Sequence, residues 1–258
     1  KQDLHSGVHG GALLNPLQAL IQACASLHDQ EGRVTVPGFY DAVRPPEQWE
    51  REELAKLPIT EEDYAKFLGV PEFFPPPGYS SLEGIRFCPT LEFNGVGGGY
   101  QGEGSKTVIP AEAFAKITCR LVPDQKSEDI ANKVRQAIEE ACPSAVRVEV
   151  ELKGGGDPYV VIPPGKPGSS GQESELMKKA FSVAEDCIES GFGTRPIFLR
   201  EGGSIPIIQD LKELAGLDSL MIGLFTNEDN LHAPDESFNL TIMDRAINSF
   251  EEFFKQLI

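Results

Sequence analysis

The sequence of 258 residues predicts an α/β fold in two parts. Three observations predict it. Apolar residues recur at helical spacing within 15–28, 127–141, 172–189 and 238–257. Strand-like alternation marks 90–96, 113–122 and 146–152, and short apolar runs mark 195–200 and 219–225. A loose Pro/Gly/Ser stretch up to residue 171 separates the two groups, with the boundary between 153 and 154. Strands that alternate with helices bury their apolar faces as layered α/β structure.

In chain order, a polar, glycine-rich turn leads into an amphipathic helix from Asn15 to His28. Leu17, Leu20, Ile21, Cys24 and Leu27 share one face, and Asn15-Pro16 is a cap followed by a first-turn proline. Residues 29–87 are Pro-rich and acidic, with Trp49, Tyr64, Phe73, Phe74 and the run Pro75-Pro76-Pro77. That is too long for an ordinary loop, so it reads as an insertion. A short helix is expected at 60–68, where Thr60 precedes Glu61-Glu62-Asp63. Strands follow at Thr90–Val96 and Ala113–Val122, with the glycine-rich segment 97–104 between them. A helix over Ser127–Ala141, capped by Ser127, shows Ile130, Val134, Ala137, Ile138 and Ala141 on one face. Val146–Leu152 is a third strand. With one further strand ending at Asp3-Leu4, the order is βαββαβ, the ferredoxin-like split unit. The second part reads helix 172–189, strand 195–200, turn and short helix 204–216, strand 219–225 and closing helix 238–257.

Charge excludes whole classes of partner. Lys+Arg number 23 against 40 Asp+Glu, a net −17. That field repels a phosphate backbone and an anionic membrane surface. No apolar run approaches the ~20 residues of a membrane span, and the opening KQDLHSGVHGG has no apolar signal-peptide core. Cys24, Cys88, Cys119, Cys142 and Cys187 are odd in number and form no CxxC pair, which fits free thiols in a reducing, cytoplasmic setting. The sequence lacks an initiator Met and opens as if within a folded segment, so residues before Lys1 are expected.

Candidate chemistry sits at strand ends. His232, in Thr226-Asn227-Glu228-Asp229-Asn230-Leu231-His232-Ala233-Pro234-Asp235-Glu236, follows an apolar strand, where α/β folds place ligands. Equally, it reads as a surface histidine in an acidic loop. Arg200-Glu201-Gly202-Gly203-Ser204-Ile205-Pro206 offers a cation, an acceptor, a hydroxyl and closely approachable backbone. Its other reading is a strand-to-helix turn with Ser204 as N-cap. His5 and His9 stand four apart, the spacing of a helical metal pair, but Gly7 and Gly10-Gly11 argue against a helix there. A single histidine donating to a ligand fits better. Arg120 either clamps a carboxylate bidentately or is an ordinary strand arginine. Gly102–Pro110 lacks GxxxxGK[ST], which removes nucleotide binding, and no GxSxG marks a serine nucleophile. The acidic pairs Glu52-Glu53, Glu61-Glu62, Glu139-Glu140 and Glu251-Glu252 read as solvated faces.

Together the segments DLHSGVHGG (3–11), GEGSKTVIP (102–110), CRLVPDQ (119–125), REGGSIP (200–206) and LHAPDE (231–236) resemble the carnosinase-like dipeptidases. These belong to the dinuclear zinc peptidase group with aminoacylase, succinyl-diaminopimelate desuccinylase and carboxypeptidase G. The resemblance spans nearly the whole chain except 29–87. It implies a ferredoxin-like lid and dimerisation domain over 1–153, carrying the insertion 29–87, and the C-terminal part of an α/β zinc-peptidase catalytic domain over 154–258. It implies metal-assisted hydrolysis of dipeptides in a homodimer, with two divalent ions, zinc or manganese. By position His232 is the last metal ligand. His5 reaches into the partner subunit's site and stabilises the tetrahedral oxyanion. Thr107 and Arg120 bind substrate, Arg120 through the C-terminal carboxylate. Glu201, Gly202, Gly203 and Ser204 line the substrate pocket. The family's other metal ligands precede the DLHSG segment, so the chain alone is expected to be inactive. Gly154-Gly155-Gly156 stands where some members carry a histidine. Two alternatives remain: a non-catalytic dimerisation module, and a deacylase or carboxypeptidase of the same group.

Overall fold

The structure is a computed structural model that describes residues 2–258 except 170, 172, 203 and 204. The chain divides into two compact units. Unit 1 comprises Lys1–Pro45, Ile59–Tyr159 and Arg200–Pro206; unit 2 comprises Pro46–Pro58, Val160–Leu199 and Ile207–Ile258. The elements in order are β1 (Leu4–His5), α1 (Ser6–His9), α2 (Pro16–Ala25), α3 (Gln48–Leu54), α4 (Glu61–Leu68), α5 (Ser81–Phe87), β2 (Thr90–Gly98), β3 (Val108–Ile109), β4 (Ala113–Arg120), α6 (Ser127–Ala141), α7 (Glu175–Phe192), α8 (Pro206–Ala215), a 3₁₀ turn (Asn227–Asp229) and α9 (Leu240–Leu257). The class is mixed α/β with small sheets, as the sequence predicts.

Unit 1 is organised by the antiparallel pair β2–β4, which runs from Thr90 opposite Arg120 to Gly98 opposite Ala113, with a bulge between Phe93 and Gly95. Along β4 burial alternates without a break: Ala113, Ala115, Ile117 and Cys119 face inward, and Phe114, Lys116, Thr118 and Arg120 face out. Period two is the geometry of a half-covered sheet. Leu27, Val34, Val36, Phe39, Leu91, Ile130 and Val134 form the core beside it. The fully buried Gln125 closes that core: its Oε1 accepts the Val122 amide at 2.9 Å and its Nε2 donates to the Phe39 carbonyl at 2.8 Å. Asn15 caps α2 as expected. Thr60 and Asp63 form a capping box on α4, and Ser80 and Glu83 form one on α5. Glu61 ties these two helices by accepting from the Ser81 amide and hydroxyl, each at 2.7 Å.

Several expectations are corrected. The insertion holds two helices that its Pro-rich composition hides, α3 and α5. Ser127 does not cap α6; it is the first helical residue, and Lys126 is the N-cap position without a side-chain cap bond. The cap comes from Asp157, whose Oδ1 accepts the Ser127 amide and whose Oδ2 accepts Lys126 Nζ, both at 2.8 Å. A long-range cap of this kind has no local sequence signature. Segments 146–152, 195–200 and 219–225 join no ladder among the described residues. An alternating or apolar run fits a pleated surface, but it becomes a strand only when a neighbouring edge takes its hydrogen bonds. Among the described residues the ladders are two antiparallel pairs, β1–β3 and β2–β4.

The Asp157 cap gives a pH-dependent stability. Its hydrogen bond from Lys126, then the one from the Ser127 amide, hold the carboxyl below the ordinary aspartate range. A carboxyl depressed in the folded state stabilises above its unfolded value, about 3.9, and that contribution is lost as pH falls through the folded value. Asp157→Ala is expected to cost about 1 kcal/mol near neutral pH, the value of a helix cap. Urea unfolding at a series of pH values checks this: the gap between variant and wild type closes as pH falls below about 4.

Unit 2 is built on α7 packed against α9. Ala180, Phe181, Ala184 and Cys187 are the buried face of α7, and Ala246 and Ser249 that of α9. Gly191 permits the close approach, because a Cβ there would lie 2.1 Å from Ser249 Oγ. From α3, buried Glu53 accepts the Phe198 amide at 3.3 Å and Lys56 Nζ at 2.6 Å, and Trp49 Nε1 donates to the Pro167 carbonyl at 3.1 Å. No helix among the described residues is long and apolar enough to cross a membrane.

Candidate functional site

His5 ends β1 directly opposite Val108 of β3. Its backbone is extended (φ −71°, ψ 119°), so it is the N-cap of the single-turn helix α1, and its Nδ1 accepts the Gly7 amide at 3.0 Å. A ring nitrogen that accepts carries no proton, so the neutral imidazole holds its hydrogen on Nε2. Nε2 lies 3.5 Å from Thr107 Oγ1. Thr107 is held from behind, its carbonyl accepting the Ser6 amide at 3.0 Å. Asp3 fastens the same two segments by accepting the Ala111 amide at 3.0 Å. The result is an exposed N–H donor with a fixed tautomer beside a hydroxyl. Gly7 leaves the ring its place: a Cβ there would stand 2.9 Å from His5 Cε1. The glycines argued against a helix at this point, yet one turn forms. The His5 cap opens it, and the Gly10 amide closes it on the Ser6 carbonyl at 2.7 Å.

Arg120 is exposed at the end of β4, opposite Thr90. At ~3.3 Å per residue the eight-residue strand places it roughly 23 Å from Ala113. Within this chain it is therefore not brought to the His5–Thr107 pair. Glu201 and Gly202 lie against α5. Glu201 accepts Arg86 Nη2 at 3.3 Å, the Arg200 guanidinium stands 5.4 Å from the Phe87 ring centroid, and a Cβ on Gly202 would lie 3.4 Å from the Ile85 carbonyl. Arg86, its side chain only 12% exposed, is a contact that sequence reasoning missed. No spacing links residue 86 to residue 201; the fold alone does. Gly203 and Ser204 lie outside the described residues.

His232 stands in unit 2, exposed, with φ +62°. Asn230 (φ +51°) and Asp235 (φ +66°) are also left-handed, a concentration of non-glycine strain that a loop keeps only when its surroundings dictate it. Asp229 supplies those surroundings. It is 3% exposed, and its Oδ2 accepts the Thr226 amide at 2.6 Å and hydroxyl at 3.2 Å, while its carbonyl accepts the Ser237 amide at 2.9 Å. Sequence reasoning took Asp229 only as one acid in an acidic loop. His232 is a single metal-type donor, and one imidazole does not retain a divalent ion. Among the described residues no group of three or more His, Cys, Asp or Glu is arranged to hold one. The chain's own described residues thus do not complete a metal centre.

The cysteines are free, and burial pushes their thiols up, to about 11 for Cys88 and Cys119. None is a ready nucleophile, because the reactive form is the thiolate.

Residues 1–146 match the peptidase dimerisation domain of the M20 peptidases. The chain belongs to the M20 family. The M20 match covers β1 through α6, and with them His5, Thr107 and Arg120. Residues beyond it are spanned by curated M20-type relatives. The chain is 28% identical over 242 residues to the Cys-Gly metallodipeptidase DUG1 of Candida albicans, covering 93% of this chain and 47% of that protein. It is 27% identical over 259 residues to the human Beta-Ala-His dipeptidase, covering 99% of this chain and 48% of that protein. Among solved structures, the M20 family metallo-carboxypeptidase Sso-CP2 from Sulfolobus solfataricus aligns with a TM-score of 0.81 and 28% identity, over 100% of this chain and 55% of that one. The chain spans about half the length of the curated relatives it matches.

Proposed function

We propose that this chain is the lid and C-terminal portion of a metal-dependent dipeptidase, with a lid over 1–153 that carries the insertion 29–87, and part of the catalytic domain over 154–258. The observation that carries this reading is the His5 Nε2–H donor beside Thr107, its tautomer fixed by the Gly7 amide. A fixed, exposed donor is what a tetrahedral amide-hydrolysis intermediate requires for its oxyanion. Thr107 and Arg120 bind substrate, Arg120 through a terminal carboxylate. Glu201, with Gly202, Gly203 and Ser204, lines the pocket. His232 is one ligand of a centre of two divalent ions, zinc or manganese, whose remaining donors belong to the rest of the polypeptide. Bound there, such ions polarise the scissile carbonyl and supply an activated water. Five free thiols support a cytoplasmic, reducing setting, and the net charge of −17 supports the absence of nucleic-acid partners.

The relatives named as dipeptidases favour dipeptides, and the carboxypeptidase match keeps a longer or acylated substrate as the second reading. A panel of free dipeptides against N-acyl amino acids, run on the polypeptide at the relatives' length, separates them. Dipeptide hydrolysis that stops on chelation and returns with zinc or manganese is expected. No hydrolysis of either class, with metal present, leaves the non-catalytic module.

The homodimer forms through the lid. An apolar cleft of about 360 Å³ between α2 and β2 supports this, lined in part by Leu20, Ile21, Phe93 and Val96, with Ile21 54% and Val96 54% exposed. Burying a carboxylate unpaired in such a contact is costly. Val96→Asp is expected to weaken self-association roughly ten-fold or more, read by light scattering against concentration.

A further inference from the structure

The insertion 29–87 takes no part in the chemistry above, yet it builds most of a second cleft in unit 1. This cleft has a volume of about 250 Å³ and is lined by Arg33, Tyr40, Pro76, Pro77, Tyr79 and Cys88 among others. Its wall is mostly ring and proline surface, which favours a flat apolar group. The one charged residue in the lining is Arg33, whose guanidinium stacks 4.6 Å from the Tyr40 ring centroid. Asp29 Oδ1 accepts the Glu31 and Arg33 backbone amides, each at 2.9 Å, and does not pair with the Arg33 guanidinium. No carboxylate pairs with the Arg33 side chain among the described residues, although the chain has 40 acids for 23 bases.

Two further groups set the ligand's polarity. Tyr40 Oη accepts the Val34 amide at 3.0 Å, which leaves its own hydrogen to donate. Burial pushes the Tyr40 phenol up and holds the Cys88 thiol neutral, so neither brings negative charge. The lining contains no carboxylate to receive an ammonium group. That disfavours a zwitterionic amino acid or dipeptide and favours a simple anion. The volume lies below the usual ~300–1,000 Å³ of cofactor and drug-sized sites, so one ring fits and a nucleotide does not.

We propose that this cleft binds a small aromatic carboxylate, its ring against the tyrosine and proline surfaces and its carboxylate on Arg33 and the Tyr40 hydroxyl. The site is independent of the peptidase reading, because binding needs neither metal nor hydrolysis. Calorimetric titration of the 258-residue chain with 3-phenylpropionate tests it, with the neutral 3-phenylpropanol and zwitterionic phenylalanine alongside. Saturable one-to-one binding of 3-phenylpropionate is expected, with a dissociation constant on the order of 1 mM. Arg33→Gln is expected to weaken it about ten-fold, and the alcohol and the amino acid to bind at least several-fold more weakly than the acid. Thermal melting verifies that Arg33→Gln is folded. If it is not, Tyr40→Phe serves as the second variant, with a several-fold loss expected. Absence of saturable binding to the wild type, or equal affinity for the acid and the alcohol, overturns the proposal. So does undiminished affinity in a folded variant.

Discussion

Replacing His5 by alanine, in the polypeptide at the relatives' length, lowers kcat roughly 10²- to 10³-fold and leaves KM nearly unchanged. Nδ1 already accepts the Gly7 amide, which leaves Nε2, 3.5 Å from Thr107 Oγ1, as the donor. Such a donor contributes most when negative charge develops on the substrate oxygen, so its loss falls on the transition state and little on the ground state. Gly7→Ala supplies a second reading of the same geometry. The added methyl crowds Cε1 at 2.9 Å and displaces the ring, and a partial loss of kcat is expected with His5 still present. Light scattering controls for assembly. An unchanged kcat in His5→Ala removes His5 from the chemistry.

His232→Ala has the larger effect: hydrolysis falls to background, and metal content per chain falls below that of wild type. The second readout matters, because it separates a lost ligand from a lost substrate contact. The surroundings of His232 give a companion test. Asp229 is buried and ties Thr226 to the turn, and its carbonyl holds Ser237. Asp229→Ala leaves the imidazole in place but releases the loop that forces it into a left-handed backbone. Metal affinity is expected to drop while His232 itself is intact, and an excess of zinc or manganese restores part of the activity. Full activity and full metal content in His232→Ala contradict its assignment as a ligand.

What the sequence made legible follows from how local each signal is. Asn15-Pro16 and Thr60 through Asp63 announce their helices because a cap and the amides it satisfies lie within three residues. β4 alternates cleanly because one face is covered along its whole length. Where a partner is distant, the reading failed. Ser127 looked like a cap, while the true cap, Asp157, lies 30 residues on. Segment 146–152 alternates as well as β4 does but joins no edge among the described residues. The functional residues divide in the same way. His5, Thr107 and His232 were legible only through motifs, and the 3.5 Å approach of His5 to Thr107 rests on a two-residue register no pattern could predict. Arg86 and Asp229 were invisible because their importance is a matter of burial and of bonds to segments elsewhere.

We propose that His5 of one subunit acts on the centre to which His232 of a second copy belongs, and mixing the two defective variants tests this most directly. His5→Ala and His232→Ala are each purified as dimers at the relatives' length, combined, and allowed to exchange subunits. In a mixed dimer one site then holds an intact His232 and receives an intact His5 from across the interface. Activity is expected to return to roughly a quarter of the wild-type value, since about half of randomly paired dimers are mixed and each has one good site of two. A mixture that exchanges subunits and stays as inactive as its components places both histidines in the same subunit's site and contradicts the account.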